Sequence, residues 1–173
     1  MKVAYLHGLE ANHKGEKPDW LSSRFDESWT PKMDYRDPKL YKKTFNELKK
    51  RNPDYLIGSS MGGWFAFLLG SQLGIPTILF NPALQNRSFE PNVNESTPIS
   101  VTHNIFFGKS DDVVSPKETQ ESLKDYKNQK IKENWYDGGH RVPFKVFKDA
   151  VIQVTGIRES STLPMYNDFM KSL

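Results

Sequence analysis

A three-layer α/β domain, with a mostly parallel sheet of about six strands between covering helices, is the fold this sequence predicts. Three observations carry that prediction. Short runs rich in branched and aromatic residues alternate with longer amphipathic stretches. Four of the runs are each followed by Gly, Asn or His, and the stretches between them carry helix-start chemistry. A chain of 173 residues also fits one domain and leaves little room for a second with its own core. Parallel strands need crossovers that cover both faces of the sheet, so a ligand belongs at the strands' carboxyl ends.

Taken in order, Val3–Leu6 reads as a buried parallel strand, and Trp29–Tyr35 as a weaker one because Pro31 interrupts it. Asp37 can cap a helix, Pro38 suits its first position, and Leu40, Tyr41, Phe45 and Leu48 then share one face. Tyr55–Ile57 is a second buried run, followed by a helix over Met61–Leu73. Trp64, Phe65, Phe67 and Leu68 could line an acyl pocket, but a helix apolar on nearly every side belongs against the sheet. Thr77–Phe80 is the next strand. The proline- and asparagine-rich stretch 81–100 has no long period and reads as a loop or small cap on the ligand side.

Ile105–Phe107 follows as a strand, and Ser115-Pro116-Lys117-Glu118 combines a capping box with an N1 proline to open a helix through about Tyr126. Ile131–Tyr136 has the alternation and charge of an edge strand, and Phe144, Phe147 and Val151 mark a helical stripe after Pro143. The domain spans residues 1–155. A tail over 156–173 carries Leu163, Met165, Tyr166, Phe169 and Met170, which could dock on the domain or on a neighbour.

Composition narrows the function. Zero cysteines exclude a disulfide framework, a thiol nucleophile, thiolate zinc sites and iron–sulfur clusters. A net charge of +3 from 24 basic and 21 acidic residues is too balanced to indicate a nucleic-acid binder. No apolar run approaches the ~20 residues of a membrane span, and the start MKVAYLHGLE lacks a secretory apolar segment, so the expectation is a soluble cytoplasmic protein. His7 and His13 have no metal-ligand pattern around them, and no phosphate loop or G-x-G-x-x-G occurs, so no metal or cofactor is expected.

The sharpest motif is Gly58-Ser59-Ser60-Met61-Gly62, a G-x-S-x-G between a buried strand and a helix. On such a turn a serine is strained and its hydroxyl exposed, with the helix N-terminus favouring negative charge nearby. The bland alternative is a serine that merely caps the helix. Ser60 as nucleophile needs a base and an orienting acid. Of four histidines, His140 follows the last strand in a Gly138-Gly139 loop that can reach back over the sheet. Asp111, after the strand ending at Phe107, would hold the imidazole, with Asp112 as close rival. Oxyanion donors are assigned to the Met61 N–H and, from the His7-Gly8-Leu9-Glu10 turn, the Leu9 N–H; His7 itself reads as holding that turn.

YLHGLE (5–10), GSSMGGW (58–64), GKSDDVV (108–114) and GGH (138–140) together resemble the oxyanion loop, nucleophile elbow, acid loop and histidine loop of α/β-hydrolase-fold enzymes, in the Ser…Asp…His order of that fold. In size and in the opening HGLEANHKGEK the chain is similar to the small YqiA/YcfP-like esterase group. The resemblance covers roughly residues 1–153. It implies a serine esterase or thioesterase acting on small acyl substrates, with Ser60, Asp111 and His140 as triad and Leu9 and Met61 as oxyanion donors. The first two strands of larger hydrolases are missing and segment 81–100 is short for a lid, which argues against long, enclosed substrates. A peptidase or amidase could use the same groups. A hydrolase-fold scaffold that keeps the elbow for structural reasons is the alternative from another class, and it has no need of all three roles in order. Lys14, Lys17 and Arg141 could attract an anionic substrate such as a phosphopantetheine thioester; a solvated basic loop is the plainer reading.

Overall fold

The computed structural model describes residues 1–85, 87–91, 93 and 98–158. Its elements run β1 (Lys2–Leu6), α1 (Glu16–Arg24), β2 (Glu27–Trp29), α2 (Leu40–Arg51), β3 (Tyr55–Ser59), α3 (Met61–Leu73), β4 (Thr77–Phe80), β5 (Thr102–Gly108), α4 (Pro116–Leu123), β6 (Lys130–Tyr136) and α5 (Phe144–Thr155).

Successive side chains of β1 face opposite ways, and each face meets its own helices. Val3 and Tyr5 join Ile57, Ile78, Phe80 and Phe106 in a cluster with Leu21 and Phe25 at α1 and Phe147, Ala150 and Val151 of α5. Ala4 and Leu6 join Leu56, Leu79, Ile105 and Phe107 against α2 (Leu48), α3 (Phe65, Ala66, Leu69) and α4 (Leu123). The result is three layers. At ~25 cal/mol per Å2 of apolar surface removed from water, these two clusters supply the main drive to fold.

The sheet is six-stranded in the order β2-β1-β3-β4-β5-β6, and every pair is parallel. The chain first steps outward from β1 to β2, then returns to lay β3 on the other side of β1. With right-handed crossovers, that reversal puts α1 on one face and α3 and α4 on the other. It also opens a crevice between the carboxyl ends of β1 and β3, where a doubly wound sheet takes its ligands. The register Leu6↔Gly58 sets His7-Gly8-Leu9 beside Ser59-Ser60-Met61.

Three expectations need correction. The strand near Trp29 ends there instead of beginning there: β2 covers Glu27–Trp29, and residues 30–35 leave the sheet because Pro31 has no N–H for the ladder. Helix α2 starts at Leu40, with Lys39 at its cap; Asp37 instead accepts the Lys39 N–H at 2.9 Å within the preceding turn. Helix α4 ends at Leu123 and gives way to tighter turns that carry the chain past Tyr126. Helix α1 went unread in the sequence, since only Pro18 and Leu21 of its nine residues are buried. Ser115 does accept the Glu118 N–H at 3.3 Å, as its capping motif implies. Between β4 and β5 the described residues form no helix or strand. Most of the 156–173 tail lies outside the described residues.

Candidate active site

Why glycines flank Ser60 follows from contacts. A Cβ on Gly58 would lie 2.5 Å from the Gly62 carbonyl oxygen, and one on Gly62 would lie 2.1 Å from the Leu6 carbonyl oxygen. Strand β3, helix α3 and the end of β1 therefore approach at backbone distance. Within that turn Ser60 adopts φ 53° and ψ −119°, a region that costs an L-residue about 1–3 kcal/mol. Its N–H continues the ladder to Phe80 O at 2.9 Å, and its carbonyl accepts from Trp64 N and Ala83 N. The strain is held by structure on both sides.

Although Ser60 stands at the N-cap of α3, its side chain makes no capping hydrogen bond. The hydroxyl is instead 3.0 Å from His140 Nε2. His140 Nδ1 lies 2.9 Å from Asp111 Oδ2 and 3.2 Å from Oδ1. With Nδ1–H donating to the carboxylate, Nε2 is left as the acceptor for the serine proton. The Asp111 side chain is fully buried, and its Oδ1 also accepts from Val113 N at 2.9 Å and Val114 N at 2.8 Å. Those donors fix the carboxylate and keep its charge matched. Asp112 is exposed and points to the cavity without reaching the imidazole. The structure thus brings Ser60, His140 and Asp111 into one hydrogen-bonded chain.

Gly8 packs directly on the nucleophile candidate, since a Cβ there would lie 3.3 Å from Ser60 Cβ. Leu9 and Met61 both border the cavity that contains Ser60 and His140, and Leu9 is 47% exposed. Met61 occupies the first helical position, where an N–H has no intrahelical partner. His7 is buried, donates Nδ1–H to Gly8 O at 2.8 Å and accepts the Met33 N–H on Nε2 at 3.1 Å. Burial holds its pKa below the ordinary histidine range. Tyr35 donates its hydroxyl to His7 O. His7 is thus the tie of this loop, and its ring nitrogens are already engaged.

Asn81 is the residue that sequence reasoning missed. It follows β4 with φ 43°, and its side chain bridges the two loops that present Asp111 and His140. Oδ1 accepts from Gly108 N at 2.7 Å; Nδ2 lies 3.0 Å from His140 O, 3.2 Å from Gly139 O and 2.7 Å from the Tyr136 hydroxyl. Tyr136 passes its own O–H to Gly139 O at 2.9 Å. An asparagine directly after a strand, on the ligand side, was the available signal.

The cavity has a volume of about 770 Å3 and runs from the β1 loop past Ser60 to Ala83, Arg87 and Ser88 of the 81–100 segment. Trp64, Phe65 and Phe67 are buried in the core, and none of them borders it. Among the described residues no group of three or more His, Asp or Glu side chains is placed to hold a metal, and no helix is long and apolar enough to cross a membrane.

Residues 2–104 match the uncharacterised protein family UPF0227, and the chain belongs to that family. No curated protein sequence matches it. Among solved structures it is similar to a protein of the α/β hydrolase superfamily from Xanthomonas campestris, at 16% identity and a TM-score of 0.64, over 90% of this chain and 96% of that one. Esterase PE8 superposes with a TM-score of 0.61 at 17% identity, over 91% and 92%. A carboxylesterase from Mesorhizobium loti does so with a TM-score of 0.62 at 16% identity, over 90% and 88%. The fold is that of the α/β hydrolases.

Proposed function

For this member of the UPF0227 family we propose a serine hydrolase that cleaves a carboxylic ester or thioester through an acyl-enzyme on Ser60. The carrying observation is the continuous relay Ser60 Oγ–His140 Nε2–Asp111, 3.0 Å and 2.9 Å long, opening on the cavity. The esterases among the similar structures support the same reading.

In that reaction His140 Nε2 takes the Ser60 proton as Oγ attacks the carbonyl carbon. Asp111 stabilises the imidazolium without accepting its proton. The tetrahedral oxyanion is held by the Met61 and Leu9 N–H groups, each worth about 3–4 kcal/mol to the transition state. His140 then protonates the departing alkoxide or thiolate. Water, deprotonated by the same imidazole, attacks the acyl-enzyme, and collapse returns the proton to Ser60 and releases the acid. At 20 residues the 81–100 segment is short for a lid, which favours short acyl groups.

A fluorophosphonate probe should label the wild type and not Ser60→Ala; folded wild type that stays unlabelled would instead indicate a scaffold built on the same fold. A chain-length series of p-nitrophenyl esters beside acyl-CoA thioesters then reads the leaving group and acyl size. A long-chain optimum would contradict that reading of the segment.

A further inference from the structure

The three basic residues near the site part company in the structure. Lys14 is exposed, and the Arg141 side chain is 91% exposed and pairs with Glu10 at 3.4 Å. Lys17 is half-buried at the cavity wall. Its ammonium donates to Val142 O at 2.9 Å and lies 5.4 Å from the centre of the Phe147 ring. Among the described residues it makes no ion pair with a carboxylate side chain. An ammonium has three donors, and Val142 O takes one of them. Burial holds its pKa below the ordinary lysine range, against the pull of neighbouring Glu16.

Two hydroxyls share that wall. Tyr5 and Ser59 lie 3.3 Å apart, oxygen to oxygen, and both border the cavity beside Ser60. One hydroxyl donates to the other, which leaves a single O–H to give to a ligand. The Phe147 ring lies 5.4 Å from that of Tyr5. The other charges around the cavity are spent or screened. Glu10 pairs with Arg141, Arg87 pairs with Glu90 at 2.6 Å, and Asp112 stands in solvent at the rim. A partly desolvated cation and a pair of hydroxyls bordering one cavity are the groups that receive an oxyanion.

We propose that Lys17, Tyr5 and Ser59 form a subsite for an anionic group of the substrate, a carboxylate or a phosphate, so that the esters cleaved at Ser60 are anionic ones. The hydrolytic half of this rests on the function proposed above, whereas the binding half stands apart from it. Binding is therefore measured first, on Ser60→Ala protein, with monomethyl glutarate and methyl phosphate as probes. At least one should bind, and the tighter of the two identifies the carboxylate or the phosphate. Adding Lys17→Met should weaken that probe by at least about tenfold, the size of one hydrogen bond to a charged group, and Lys17→Arg should restore most of it.

In Ser60 protein, the ratio of kcat/KM for mono-p-nitrophenyl glutarate over p-nitrophenyl valerate should fall by about tenfold or more in Lys17→Met. Taking the ratio within each variant cancels any general loss of activity. Lys17→Gln replaces the methionine variant if that one does not fold. Failure of both probes to bind at about 10 mM, or equal binding by the Lys17→Met protein, overturns the subsite. Absence of hydrolysis of either ester by wild type would strike the function proposed above, while the binding comparison still decides the subsite.

Discussion

Replacing Asn81 by alanine should damage both stability and turnover, and the structure sets the size of each. The buried Gly108 N–H loses its acceptor, at about 1–3 kcal/mol. Alanine at φ 43° adds about 1–2 kcal/mol that asparagine tolerates better. Loss of the donor to Gly139 O and His140 O leaves those carbonyls to water or to Tyr136 alone, a smaller cost. The sum is about 2–5 kcal/mol, a large part of the ~5–15 kcal/mol of a typical domain. In urea unfolding, with a slope of about 2 kcal/mol per M, the midpoint should fall by about 1–2.5 M.

Asn81→Gly removes the same hydrogen bonds but accepts the backbone, so it should be about 1–2 kcal/mol less damaging than Asn81→Ala. Asn81→Asp keeps the acceptor for Gly108 N yet turns a carboxylate on two carbonyls, and it should be no better than alanine. Ester hydrolysis, measured well below the unfolding midpoint, should lose kcat more than KM, because the tether acts on the backbone of His140. An Asn81→Ala protein within about 0.5 kcal/mol of wild type, with kcat intact, would refute the reasoning.

Three other outcomes are expected. Ser60→Gly should be more stable than Ser60→Ala by about 1 kcal/mol in denaturant unfolding, since only glycine relaxes at φ 53°. Asp111→Asn should lower kcat by several orders of magnitude, about 10^4 in well-studied triads, while Asp112→Asn changes it little; steady-state kinetics on one p-nitrophenyl ester separates them. His103 is fully buried, its ring held by Thr77 and Gln129, and burial lowers its pKa from 6.5 to about 4. Below about pH 6.5 the unfolded chain takes up a proton that the native state refuses until about pH 4, so stability falls across that window by up to roughly 3 kcal/mol. Unfolding curves of His103→Gln should show a flatter fall over the same range.

The site was legible where a local pattern mirrors a local contact. Gly58 and Gly62 carry the elbow because the backbones of β1, β3 and α3 meet there, and that requirement shows as spacing in the sequence. His140 and Asp111 were readable from their places after strands. Which of two adjacent aspartates reaches the imidazole was not, because it depends on the Val113 and Val114 amides that turn the loop inward. Asn81 was hidden because its partners lie 27 to 59 residues away and a lone asparagine after a strand looks like a turn. β2 and α1 were obscured for a related reason. Both sit at the margin of the sheet, where partial burial leaves little periodicity to read.

One consequence of the sheet order concerns how the molecule fails. Among the described residues β6 is hydrogen-bonded along one side only, and of its seven residues Tyr136 alone is buried. Yet the loop leaving it holds the imidazole. Fraying of this border strand would withdraw the proton carrier of the proposed reaction while the interior strands stayed folded. Mild heating should therefore silence the molecule before its circular dichroism changes, with the backbone amides of residues 131–135 among the first strand amides to exchange. Turnover would then act as a fuse, blowing ahead of the scaffold that carries it.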